Sequence, residues 1–170
     1  VPVSVGDDVT ADWGNSTRGR YLKKAAGETV TSSITPQDDD TFVLTLAANT
    51  VYEIRLNLLA TGAAAGDIRV SWVATGTVTS PTGRAVFGPS SGVTTSGGDT
   101  IRMTGTHAFT TQIVYGTDGT NPSHVLEEFL VDAGVSGGTL KLQWAQGTSS
   151  ATATTVLASS WLTQTIVETL

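Results

Sequence analysis

From Glu28 onward, apolar side chains recur at every second residue, and this period more than any other feature limits what the chain can fold into. Tyr52, Ile54, Leu56 and Leu58 alternate with Glu53, Arg55 and Asn57. Ile68, Val70 and Trp72 alternate with Arg69 and Ser71; Leu140, Leu142 and Trp144 alternate with Lys141 and Gln143. Successive side chains of a strand point to opposite faces, so each run makes one apolar and one polar face, the mark of a half-buried strand. Residues 41–46 read as a strand leading into a turn at Ala47–Thr50. Segments 28–35, 100–104, 109–115, 124–132, 152–157 and 161–168 read as further strands. The run 124–132 also admits a helix; the strand is preferred because Val125, Phe129 and Val131 share one face. Glycine-rich clusters at 62–66, 76–83, 88–98, 116–123 and 134–138 punctuate the series. Strands at this spacing, with no helices between them, specify an all-β sandwich or barrel and argue against a parallel α/β sheet. The stretch 76–99 holds few large apolar residues besides Val86 and Phe87 and reads as a long surface loop or irregular hairpin.

A chain of 170 residues fits one domain and buries roughly 70% of its unfolded surface, so stability requires neither disulfide nor metal. There is no cysteine, hence no disulfide, thiolate zinc site or redox centre. Charged residues are only 14% of the chain, so hydroxyls, chiefly from threonine, supply much of the polar surface. The net charge of −6 leaves no basic footprint for nucleic acid. No apolar run reaches the length of a membrane span, and no signal peptide is visible.

Residues 1–26 differ from the rest. Acids (Asp7, Asp8, Asp12) precede bases (Arg18, Arg20, Lys23, Lys24), the polarity that suits a helix macrodipole. Val9, Trp13, Thr17 and Tyr21 recur every four residues, while Gly14 and Gly19 each weaken a helix by about 1 kcal/mol. The segment is expected to be a marginal helix near 8–24, ended by Gly27, that needs a partner surface.

Candidate chemistry is sparse. Gly88-Pro89-Ser90-Ser91-Gly92 fits the G-x-S-x-G nucleophile elbow, but the elbow needs a helix after the serine, and Val93–Asp99 shows no helical period. His107 and His124 are the only imidazoles and read as surface or loop residues. Asp38-Asp39-Asp40 lacks the spacing of a calcium loop and reads as a solvated turn after Pro36, with a cation or partner contact as the alternative. Trp72 and Trp144 fall at inward positions and read as core. Trp161 opens the last strand and is a further core candidate; Trp13 lies outside the β region. No catalytic, cofactor or metal residues are expected, and the chain is read as a non-enzyme.

Several strings resemble small virion proteins of actinobacterial tailed phages and prophages. They are Glu28–Ser33 with Gln37–Asp40, Leu46–Tyr52, Gly62–Asp67, Leu140–Gln146, Ser149–Val156 and Ser160–Leu162. The resemblance covers 28–75 and 138–164 and is poor over 76–137. It implies a jelly-roll sandwich of the trimeric tumour-necrosis-factor-like type, used on virion surfaces as a capsid decoration, head fibre or tail-fibre head. The resulting expectation is a jelly-roll β domain over 27–170 with an N-terminal attachment arm over 1–26. Val9, Trp13, Arg18, Arg20 and Tyr21 would contact other virion proteins, and outward positions such as Leu162 and Ile166 would bury in a homotrimer. A host-receptor or carbohydrate-binding module of the tail is the alternative, with a surface glycan as partner. Neither nucleic acid nor membrane is an expected partner, and no cofactor is implied.

Overall fold

The alternating runs become strands that pair in nested fashion. The computed structural model describes residues 19–91, 101–103 and 105–170. Among these are twelve strands and no helix: β1 (Arg20–Lys23), β2 (Glu28–Val30), β3 (Gln37–Leu46), β4 (Thr50–Thr61), β5 (Ile68–Gly76), β6 (Ala85–Pro89), β7 (Ile101–Met103), β8 (Ile113–Tyr115), β9 (Ser123–Asp132), β10 (Gly138–Gln146), β11 (Thr154–Val156) and β12 (Trp161–Thr169). The larger sheet runs β1-β12-β4-β9-β6-β7, with β11 pairing β4 and β2; the smaller runs β3-β10-β5-β8. Eight strands form the frame. In chain order the first pairs with the last (β1 with β12), the second with the seventh (β3 with β10), the third with the sixth (β4 with β9) and the fourth with the fifth (β5 with β8), all antiparallel. One long hairpin wrapped across two sheets in this way is a jelly roll.

The core lies between the sheets. Inward residues of β4 (Tyr52, Ile54, Leu56, Leu58) meet those of β3, β5 and β10, with Trp72 1% and Trp144 0% exposed. Trp72 packs edge-on to Phe129, centroids 5.3 Å apart. Two local features let the strands turn and close. Asn49 (φ 53°) takes the left-handed position in the β3–β4 turn, which asparagine tolerates better than most residues. Gly76 (φ 76°) ends β5 where a Cβ would lie 2.2 Å from the Gly137 carbonyl oxygen, so only glycine fits.

The structure corrects several expectations. Residues 20–23 are not helical: β1 pairs with β12 at the sheet edge, Tyr21 opposite Thr163 and Leu22 opposite Leu162. Pairing with β12 packs part of Leu22 against the core, a contact that a lone marginal helix lacks. The remainder of the expected helix, with Val9, Trp13 and Arg18, lies outside the described residues. The 28–35 strand stops at Val30, near Ser32 at φ 53°, and the 109–115 strand begins only at Ile113. Within 76–99, residues 85–89 are no loop but one arm of the alternative hairpin: β6 pairs antiparallel with β7, and it also pairs β9 and buries Val86. Neither Leu162 nor Ile166 is an outward position: Leu162 faces inward and is fully buried, and Ile166 shares its phase opposite buried Tyr52, although it is itself exposed. The Asp38–Asp40 run belongs to β3, and Asp39 is 0% exposed, so it is no solvated turn. Asp39 receives a 2.8 Å hydrogen bond from Lys24, itself buried and also bonded to Glu28 at 2.7 Å. Lys24 is thus committed inside the fold and unavailable to an external partner. Asp38 instead faces out and pairs with Lys141 and Gln143.

Candidate interaction face

Two groups of residues outside ordinary apolar packing stand out, one buried and one exposed. The buried group centres on Glu127, an inward position of β9 and 1% exposed. Its Oε2 accepts from Trp72 Nε1 at 2.7 Å, and its Oε1 accepts from the Tyr115 hydroxyl at 2.8 Å. The Arg84 guanidinium, 0% exposed, lies 3.5 Å away and donates through Nη2 to the Thr111 carbonyl at 2.7 Å. Gly88 lets Tyr115 approach, because a Cβ there would meet its ring at 2.7 Å. One carboxylate and one guanidinium, matched and closed off from solvent, hold the β5, β6, β8 and β9 ends together.

The exposed group occupies the outer face of the larger sheet. Strand register aligns its residues in rungs across five strands. One rung runs Phe87, Leu126, Asn57, Trp161, Lys23; the next runs Ala85, Glu128, Arg55, Thr163, Tyr21. At the β1–β12 end Tyr21 is 56% exposed and lies against Trp161, ring centroids 5.8 Å apart, beside Lys23. The middle is polar: Arg55 bonds Glu53 at 2.9 Å and lies 3.6 Å from Glu128. At the β9–β6 end a groove of about 400 Å³ is lined by Phe87, Phe129, Leu130, Ala85, Glu53, Glu128, Thr82, Gly83 and Thr106. Leu126, exposed, lies beside Phe87 on the same rung.

Of the site residues expected from sequence, Val9, Trp13 and Arg18 lie outside the described residues. Arg20 and Tyr21 are on β1, both exposed, and Tyr21 belongs to the outer face. The sequence reading missed Trp161 as an outward residue, the acid-rimmed groove and the Glu127 cluster. Parity could have revealed the last: Glu127 shares the inward phase of Val125 and Phe129, so it had to be buried and paired. Ser90 follows β6 and bridges to Tyr115. His124 is an outward residue of β9 against the Asn57 side chain. Among the described residues no group of His, Cys, Asp and Glu has the geometry of a metal site, and no helix is long and apolar enough to cross a membrane.

No family model matches the chain, and no curated protein matches it. Two solved structures of infectious bursal disease virus are similar to it, both at a TM-score of 0.21. The Gt strain structure shares 15% identity over 91% of this chain and 39% of the viral chain. The Gx strain structure shares 16% over 88% and 40%. The chain therefore spans about two fifths of the length of these viral chains. The jelly-roll assignment rests on the nested strand pairing of the chain itself.

Proposed function

We propose that this chain is a non-enzymatic structural protein of a phage virion, displayed on the surface as a capsid decoration, head fibre or tail-fibre head, and that it assembles as a homotrimer. The observation that carries the reading is the outer face of the larger sheet. A monomer would leave Tyr21, stacked on Trp161, and Leu126 in water on one side of one sheet, each at least 41% exposed. Apolar residues gathered on a regular sheet face are the ordinary substance of a subunit interface. The resemblance of 28–75 and 138–164 to phage virion proteins supplies the biological setting. The absence of an enzymatic role is part of the proposal: the best-organised polar cluster is enclosed in the core, and Ser90 is bridged to a core strand. Attachment to the particle is assigned to the segment ahead of β1, with Val9, Trp13 and Arg18 as its contacts. Light scattering on the purified protein at micromolar concentration tests the assembly. Three times the 17.5 kDa chain mass is expected; a monomer sinks the reading.

A further inference from the structure

The outer face of the larger sheet is not uniform. Its two ends differ in charge and shape while sharing the same rungs. At the β1–β12 end Tyr21 and Trp161 form an aromatic ledge with Lys23 beside it, while Arg20, opposite the inward Gln164, has the other phase of the same strand. The β9–β6 end holds the groove, whose lining combines apolar Phe87 and Leu130 with the carboxylates of Glu53 and Glu128. Those two carboxylates share one guanidinium, that of Arg55, so the groove keeps an excess negative charge. The ends are four strand spacings apart, roughly 19 Å at ordinary strand spacing.

We infer that these ends are the two halves of one contact: the Tyr21–Trp161–Lys23 ledge of one copy seats in the Phe87–Glu53–Glu128 groove of the next. This rests on the proposal that the chain self-assembles, and it adds which surfaces meet. Three features of the molecule select a second copy as the occupant. The groove, apolar and acid-lined, suits an apolar partner that carries positive charge, and the ledge of this acidic chain joins the Tyr21–Trp161 aromatic surface to the exposed Lys23 on the same sheet face. Ledge and groove lie on the same face, so neighbours packed around an axis parallel to that face bring one half of each against the opposite half of the next. A contact between unlike patches closes into a ring when its rotation permits, which suits three copies. Opposite charges across the contact fix its register and penalise like-with-like pairing.

Charge reversal tests this. Lys23→Glu and Glu128→Lys are each expected to weaken self-association roughly tenfold or more, read as a fall in light-scattering mass on dilution, with the thermal melt of the separated chain unchanged. The double variant is expected to regain the parent mass, because the reversed pair is again complementary. If both single variants stay fully assembled, the ledge-to-groove contact is wrong while trimer assembly stands. If the parent is monomeric, the assembly reading falls and takes this contact with it. A parent dimer removes the trimer but leaves the same exchange to be judged by the double variant. If a glycan array shows sugar binding that Phe87→Ala abolishes without changing the mass, the groove belongs to a glycan, and the inference is overturned.

Discussion

Glu127 shows how a residue that breaks the apolar pattern can still belong to the core. A buried carboxylate is tolerated when donors meet it, and here Trp72 and Tyr115 supply one hydrogen bond to each oxygen, with Arg84 close by. Trp72 thus has two roles, filling volume against Phe129 and satisfying Glu127, whereas the Trp144 indole N–H makes no hydrogen bond. Trp72→Ala and Trp144→Ala are each expected to cost about 3–5 kcal/mol from lost burial and the cavity left behind. Trp72→Ala should cost more, because it also strips a donor from a buried carboxylate. Trp72→Phe separates the two roles, keeping most of the ring while losing the N–H. Urea unfolding of the four proteins decides it. Parent-like midpoints for both alanine variants would mean the strand register is wrong, and equal losses would deny Glu127 its dependence on Trp72.

At the scale of elements, the long strands were legible because two-residue periodicity survives burial on one face: β4, β5, β9, β10 and β12 fall close to where alternation puts them. Two elements were not legible. A spacing of four residues, as in Val9, Trp13, Thr17 and Tyr21, is even and fits one face of a strand as well as one face of a helix. The partner that decides for β1 is β12, some 140 residues away in the sequence. Strand β6 is short, ends in Gly88-Pro89, and takes its stability from β9 and not from its own pattern. The tie that follows β1 was equally hidden, since it joins Lys24 to Asp39 across the sandwich. Burial alone lowers the pKa of Lys24, but hydrogen bonds and charge from Asp39 and Glu28 outweigh it, and the net shift is upward from 10.5. The folded-state value therefore exceeds the unfolded one, so this contribution to stability is complete below about pH 10.5 and is lost as pH climbs through the higher folded value. Thermal melts across alkaline pH should show the parent losing stability in that window. Lys24→Met, which leaves Asp39 buried without its cation, should lose about 3–5 kcal/mol already at neutral pH, and Lys24→Met with Asp39→Leu should recover much of it. A parent melt flat through the window, or a Lys24→Met melt like the parent, would deny the pair its anchoring role.

For the whole molecule, the proposed trimer raises the question of how such a jelly roll would attach to a larger particle. If the outer face of the larger sheet is spent on sister copies, it is not free for the particle, and attachment must use another part of the chain. The segment ahead of β1 suits that purpose: it carries Val9, Trp13 and Arg18. Where the segment is cut matters. Removing residues 1–26 would take away β1, expose the β12 edge and leave Asp39 without Lys24, so loss of attachment could not be told from loss of fold. Removing residues 1–18 leaves every frame strand and both ends of the outer face in place. The 1–18 deletion is therefore expected to melt like the parent and to keep its light-scattering mass, yet to be missing from purified particles when supplied in place of the full chain. Trp13→Ala should reduce incorporation part-way, since one aromatic anchor commonly carries a large share of a small interface. Quantitative gel analysis of particles against an internal virion protein gives the copy number. Normal copy number for the 1–18 deletion would move attachment to the sandwich itself, and with it the outer face would become the first candidate for the particle-binding surface, in competition with the sister copies proposed to cover it.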